Sequence, residues 1–524
     1  MPRITYNQDG SGGVVSFGHE DWLSGFAPQA SNNSNKVIGT GAMFMREFDP
    51  FRSLGFAAPG FSPVDVTNVS VTTALQNNGV VNNGATPYAY TVGGTRTNRL
   101  DLSNDTYSNA GDWPHSIVGA TMEDCVIYRY GGTKYLFASY YDGTDLEVMR
   151  YDLASTFVDN FWSGTLSLNS ADQNVPHPMI IGTNGRLYIG DGEDIGFIDG
   201  DSSTGGISDL DLPPGFVITS FSRLPDYLVL YAYKSEGLSS SNYYRGDARA
   251  FLWDYQASTY NFEYDLEDNY VNGGFNWRGD IGCFTYGRAK DAQGNLMAMR
   301  MFDGTRFAIP PKFVPTSDNP PGHGGVEIVD NMLHWNSSGK IYSFGSIIPE
   351  LPDAMIHRTS GLGTTGFGML KNFAGAKLYA STGTTTSGGM QTLSSNYNEN
   401  SFFTSLMAEP NFPLNHYGEV DYVQVKFSDI ATGGRVLAMT LRTDRGQTTT
   451  NILVDVSDVT VQTTAESATS KRLLHETNVN TSSADLPNFS SIGIALDWGT
   501  GVAATAAPIV SEVNIFFKNI PLPS

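Results

Sequence analysis

Eight histidines, His19, His115, His177, His323, His334, His357, His416 and His475, stand singly along the chain. None has the HxH or HExxH spacing that sets two imidazoles on one face for zinc. They are expected at the surface or in turns. The densest acidic run, GDGEDIGFIDGD at residues 190–201, carries Asp191, Glu193, Asp194, Asp199 and Asp201. Carboxylates grouped this way could hold calcium, but the run follows neither the twelve-residue EF-hand loop nor a tandem RTX repeat. Solvated hairpin turns are expected instead. Two carboxylates could also cleave a glycosidic bond if they faced each other about 5 to 9.5 Å apart. The Asp-box series of Ser, Asp, Gly, Thr and Trp is absent, since YDGTDL and FDGTRF share only fragments of it. No GxSxG elbow, Walker loop or Rossmann fingerprint occurs, and the serine of GVVSFG has no evident partner. Cys125 and Cys283 lie far apart in strand-like EDCVIYRY and IGCFTYGR. They are expected as small buried residues outside any disulfide framework. No catalytic residue, cofactor or metal ligand is assigned on these grounds.

The elements that would position any site are strands. Charged residues make up only 16% of the 524, while Gly (57), Tyr (26) and Phe (30) are plentiful, which suits a strand-rich chain and leaves little for charge-laced helices. The length implies two or three domains. Seven segments repeat a β-rich run, a Gly, Asp or Asn turn and a second β-rich run, starting at Pro87, Lys134, Gly185, Asp226, Cys283, Met332 and Lys377. Turns such as YDGT, KDAQGN and NSSGK place residues where positive φ is cheap. The spacing matches one four-stranded propeller blade of about 40 to 50 residues. The fold class expected is all-β: a β-propeller of about seven blades, with six or eight also fitting, over residues 64–405. Unrelated β-sandwiches are the blander alternative. After MAEPNFPLNHYG the alternation lengthens in EVDYVQVKFSDI, RVLAMTLRTD, TNILVDVSDVTVQ, SIGIALDWG and IVSEVNIFFKNI. This predicts a C-terminal antiparallel β-sandwich or jelly roll over 406–524.

The first 63 residues show too little regular pattern to fold alone and are expected as an extended N-terminal arm. The arm ends in REFDPFRSLGFAAPGF, residues 46–61. Exposed apolar surface of this kind marks an interface, so Phe48, Asp49, Pro50, Phe51, Arg52, Phe56, Pro59 and Phe61 are expected to wrap the chain's own propeller, cross a neighbouring subunit, or both. A net charge of −22 from 31 Lys plus Arg and 53 Asp plus Glu repels phosphate backbones. It argues against sequence-specific nucleic-acid binding and allows an acidic wall that passing DNA does not stick to. No apolar run reaches the roughly 18 to 20 residues of a membrane helix, and the start MPRITYNQDGSGG lacks a signal-peptide core.

The FDPFR and PGF arm, the propeller-like middle and the terminal β domain together resemble structural virion proteins of tailed bacteriophages, of the tail hub, nozzle or tail-tip type. The resemblance implies a non-enzymatic subunit that is built in the host cytoplasm and carried in the virion, with other tail or connector proteins and a homo-oligomeric ring as partners. Two rivals stand beside it. One is a glycan-recognising receptor-binding protein, stacking sugars on Trp113, Trp162, Trp253, Trp277, Trp335 or Trp498. The other is a polysaccharide-cleaving propeller enzyme.

Overall fold

The computed structural model describes residues 2–25, 42–50, 57–58, 61–66, 76–82, 87–163, 176–200, 205–207, 210, 212–234, 246–287, 296–347, 350, 353–359, 362, 368–374, 377–383, 388–397, 401–428, 436–443, 471–475, 488–499, 507 and 509–522. Packing divides the chain into two units. One gathers residues 1–62, 342–360 and 394–524, and the other 63–341 and 361–393.

A propeller takes up the second unit and, from the first, residues 342–345 and 354–359 of its sixth sheet and 61–62 and 394–397 of its seventh. Seven antiparallel sheets built around four strands follow one another, and each holds one of the seven repeats read from the sequence. Their first strands are Asn78–Asn82, Thr121–Tyr130, Met179–Ile181, Phe216–Arg223, Tyr270–Trp277, Val326–Val329 and Leu370–Ala374, belonging to blades 1 to 7 in that order. Each first strand lies against the first strand of the next blade, and that of blade 7 lies against that of blade 1. The first strands therefore form a closed inner ring. NSSGK does what the sequence implied: Ser338 and Gly339 sit at φ 51° and 76° between Met332–Ser337 and Lys340–Gly345, the pair of positive angles that a two-residue hairpin turn requires, while KDAQGN lies outside the described residues. Hydrogen bonds lace neighbouring blades. Met369 N donates to Gln76 O at 2.9 Å between blades 7 and 1, and Thr219 Oγ1 donates to Val271 O at 2.6 Å between blades 4 and 5. Ring closure uses the other end of the chain. The fourth strand of blade 7 is Phe61–Asp65, beside Gly388–Tyr397, with Val66 N donating to Met390 O at 3.0 Å.

The first unit corrects the expected arm. Residues 1–63 do not form a separate extended segment, because Arg3–Tyr6, Gly12–Phe17 and Ala42–Arg46 are strands of the same unit as the C-terminal region. One sheet runs Arg3–Tyr6, Gly12–Phe17, Ile509–Pro521, His416–Ser428, Lys471–His475, with Asn488–Phe489 also on His416–Ser428. The other runs Ala42–Arg46, Phe402–Ser405, Ile492–Gly499, Val436–Thr443. The strand expected in TNILVDVSDVTVQ lies outside the described residues. Glycines disguised the leading hairpin. A Cβ on Gly12 would lie 2.0 Å from Phe517 O and one on Gly13 2.5 Å from Thr5 O, so NQDGSGG permits a close strand approach and is not slack chain. A short helix, His19–Leu23, carries the wholly buried Trp22, which touches Phe403 of the second sheet at 5.1 Å and donates to Ser511 O of the first at 3.2 Å. Among the described residues no helix is long and apolar enough to cross a membrane.

Candidate functional site

The polar centre of the propeller is built on NPPGHGG, residues 319–325. Two prolines fix the approach of the chain, and His323–Gly325 form one 3-10 turn. This turn lies against the first strands of blades 1, 4, 5 and 7 and the second strand of blade 6, while His323 reaches blade 2. Blade 4 stands across the ring from blades 7 and 1, so a three-residue turn touching all of them must sit on the axis. Glycine is obligatory there: a Cβ on Gly324 would lie 2.2 Å from Asn77 O, and one on Gly325 would lie 2.8 Å from Gly368 O. The turn plugs the ring.

Asp124, on the first strand of blade 2, is the acceptor that ties the plug to the ring. Its Oδ2 accepts from Met179 N of blade 3 at 2.6 Å and lies 3.2 Å from His323 Nε2. Its Oδ1 accepts from Cys125 N at 2.7 Å and from Asn78 Nδ2 of blade 1. Three blades and the plug thus share one buried carboxylate. Next to it a β-bulge between Met122 and Asp124 turns out Glu123, half-buried near the axis, and bulges of this kind re-aim side chains. Burial, and then the Asp124 charge, push the Glu123 carboxyl up to about 8. A His–carboxylate pair is two parts of a hydrolytic triad. Here His323 Nδ1 is buried with no hydrogen-bond partner, so no hydroxyl or thiol is joined to the imidazole. Cys125, next in sequence, is buried, and its burial holds the thiol well above its ordinary range.

Of the residues assigned to the arm, those described are turned onto the chain itself, including the fourth strand of blade 6, Ala354–Thr359. Phe48 is wholly buried, its ring 4.9 Å from Phe403 and 6.1 Å from Trp498. Asp49 is buried on Arg358, and Pro50 is buried beside it. His357 O accepts from Phe48 N at 3.1 Å and His357 Nδ1 from Glu47 N at 2.9 Å. Strand Ala42–Arg46 leads the chain to a seat where Phe48 packs on the second sheet, while Asp49 and the backbone of Glu47 and Phe48 bind Ala354–Thr359, the fourth strand of blade 6. Phe61 is half-buried at the start of the closing strand, and Phe51, Arg52, Phe56 and Pro59 lie outside the described residues.

Other expectations divide. Both cysteines are free and buried, as read. His177, His334 and His357 are buried, not at the surface: His334 and His357 lie on blade strands covered on both faces, and His177 stands just before the first strand of blade 3, with Ser139 Oγ of blade 2 donating to its carbonyl at 2.7 Å. Asp199 is an exposed partner of Arg186 at 3.1 Å, but Asp191 and Asp194 of the same run are buried and are no solvated turn. All seven tryptophans, the six named above and Trp22, are buried in the fold, so none offers an open face to a sugar. Among the described residues, no three His, Cys, Asp or Glu side chains converge as a metal site. Sequence reasoning missed Asp124 and His323. The signal available was the isolated PPGHGG, a histidine bracketed by residues that either fix or free the backbone.

No family model and no curated protein matches this chain. Among solved structures it is similar to virginiamycin B lyase from Staphylococcus aureus, at 8% identity over 64% of this chain and 99% of that one, with a TM-score of 0.41. It is also similar to Drosophila semaphorin 2a, at 8% identity over 65% and 76% with a TM-score of 0.42, and to the Dos1 propeller, at 10% over 70% and 90% with a TM-score of 0.38. Likenesses this faint carry no argument, and the fold is read from the chain's own sheets. The chain is an all-β protein with a seven-bladed propeller.

Proposed function

We propose that this chain is a non-enzymatic structural subunit of a tailed-bacteriophage particle, associated with the tail as hub, nozzle or tip, and that it assembles with copies of itself and with other virion proteins. The assignment to a phage rests on the sequence resemblance. What supports a scaffold role is one surface feature of the two-sheet unit. At one end of its larger sheet, Leu414 is 89% exposed, with Tyr6 at 41% and Leu522 at 46%. Asn411 N donates to Tyr6 Oη at 2.6 Å and Leu522 N to Asn415 O at 2.7 Å, so the three belong to one pinned patch and are not loose termini. Pinned apolar surface is what subunit contacts use. The burial of Phe48, Asp49 and Pro50 moves the proposed contact from the arm to this patch. The occupied axis and the nucleophile-free His323 agree with a scaffold.

The test is location. Antibodies raised against the chain should decorate one end of tailed particles and detect it in gradient-purified virions. Its absence from every particle fraction, with the chain free in the lysate, would overturn the proposal. Virion localisation would leave passive contact with transiting DNA open to cross-linking.

A further inference from the structure

The seven first strands stand side by side around the axis, and each is covered outside by the second strand of its own blade. A residue in the middle of such a strand turns its side chain into a seam between blades, so whatever part of it meets water faces the central channel. Residues 216–222 of blade 4 leave nothing open there. Elsewhere in the ring Val80, Val126, Ile127 and Ile180 are half-buried, and Ile328 is 37% exposed. Val80 and Ile127 pack on the core of blades 1 and 2, Val126 on that of blades 2 and 3, and Ile180 on that of blades 3 and 4. Their inner edges stay open. The channel beyond the plug is therefore an apolar well, closed at the start of the strands where Gly324 meets Asn77 and Gly325 meets Gly368.

One cation stands in its wall. Lys371, on the first strand of blade 7, is half-buried. Gly325 and Gly368 touch, and three residues further along their two neighbouring strands Ile328 and Lys371 come level. Met369 and Phe373, which flank Gly79 of blade 1, and the cross-strand partner Tyr379 are all buried, so the part of Lys371 that meets water lies toward the axis. Its charge is felt at Cys125 of blade 2, beyond blade 1, as that of an ammonium turned inward would be. Among the described residues Lys371 has no ion pair and no hydrogen bond. Glu327, beside Ile328, gives its Oε1 to Ile328 N at 3.1 Å. In a chain with 53 Asp plus Glu against 31 Lys plus Arg, a lysine left without a carboxylate is out of the ordinary. A lysine stem lies readily along apolar surface, while its ammonium requires water or an opposite charge.

We propose that this well binds a small organic anion with an apolar body, of the class of a medium-chain carboxylate. Its charged end would sit on the Lys371 ammonium and its chain along the inner edges of Val80, Val126, Ile180 and Ile328. Apolar walls with one convergent polar group are what small-molecule sites are made of, and a single ammonium calls for a single negative charge. The inference is independent of the proposed virion role.

The experiment is thermal unfolding of the full chain titrated with sodium octanoate, against octan-1-ol and sodium acetate at matched concentration and ionic strength. Octanoate should raise Tm saturably by a few degrees, as any ligand of the native state does. Octanol has the chain without the charge and acetate the charge without the chain, so each should shift Tm much less. Lys371→Met keeps the apolar stem, and so the fold, and should bring the octanoate shift down to that of octanol. Ile328→Trp narrows the channel and should remove both shifts, each read against the variant's own baseline. No saturable rise with octanoate, a rise equal to that with octanol in the unaltered chain, or a rise that survives Lys371→Met undiminished would overturn the proposal.

Discussion

Phe48 and Asp49 show how a residue's type can be legible and its destination not. An aromatic beside an aspartate and a proline reads as a hook for another surface, yet Phe48 fills the space between Phe403 and Trp498 and Asp49 binds Arg358. Phe48→Ala should lower stability by about 3 to 5 kcal/mol, as for other buried aromatics truncated to alanine, read by urea unfolding. A change under about 1 kcal/mol would mean that the ring is not core. Arg358→Ala should lose about as much, about 3 to 5 kcal/mol, because Asp49 would be left charged and buried. Pairing it with Asp49→Ala should recover part of that loss, since the double variant removes the buried carboxylate together with the guanidinium. Burial could not be read at Phe48 because the strand leading to it, Ala42–Arg46, is AMFMR, which lacks strict alternation.

At the scale of elements the hairpins were legible and their partners were not. Each repeat's central turn announces itself through glycine, aspartate or asparagine, as Ser338–Gly339 does. The closing strand FSPVD is five residues holding a proline, with nothing local to say that its partner lies more than 300 residues away. The plug was legible only as a loop, because its role depends on ring closure, which brings blades 1, 2, 4, 5 and 7 to one place. Gly324→Ala should therefore be destabilising by about 1 to 3 kcal/mol or more through overpacking against backbone that cannot yield. Gly10→Ala gives a contrast, since Gly10 has φ 70° but open space around it, and its smaller loss would reflect backbone conformation alone. Equal losses at the two sites would contradict the tight seat of the plug. His323→Gln retains a donor toward Asp124 and should melt above His323→Leu, which leaves Oδ2 one partner short.

For the whole molecule, the sign of its pH dependence follows from carboxyls held above their ordinary values. Glu123 is pushed up to about 8, Glu147 and Asp191 to about 7, and Asp21 to about 6, burial being the first cause in each. An unfolded chain titrates these groups near 4, so between about pH 4 and 8 the native state binds more protons and stability falls as pH rises. His177, lowered to about 4, acts in the opposite sense, but only below its unfolded value of about 6.5. Above about pH 6.5 the carboxyls act alone. Tm should be higher at pH 6 than at pH 8, with Glu123 and Asp191 each contributing on the order of a few kcal/mol. Glu123→Gln should flatten the upper part of that slope. A Tm that rises from pH 6 to pH 8 would refute the burial of these groups as charged liabilities.

Self-assembly through the exposed apolar end of the two-sheet unit is the claim on which the structural role turns, and light scattering coupled to size exclusion tests it most directly. A protomer of 56.8 kDa should elute as one discrete multiple of that mass, and Leu414→Asp should return it to single protomers with Tm unchanged. An unaltered chain that remains at one protomer mass across tens of micromolar, indistinguishable from Leu414→Asp, would contradict it.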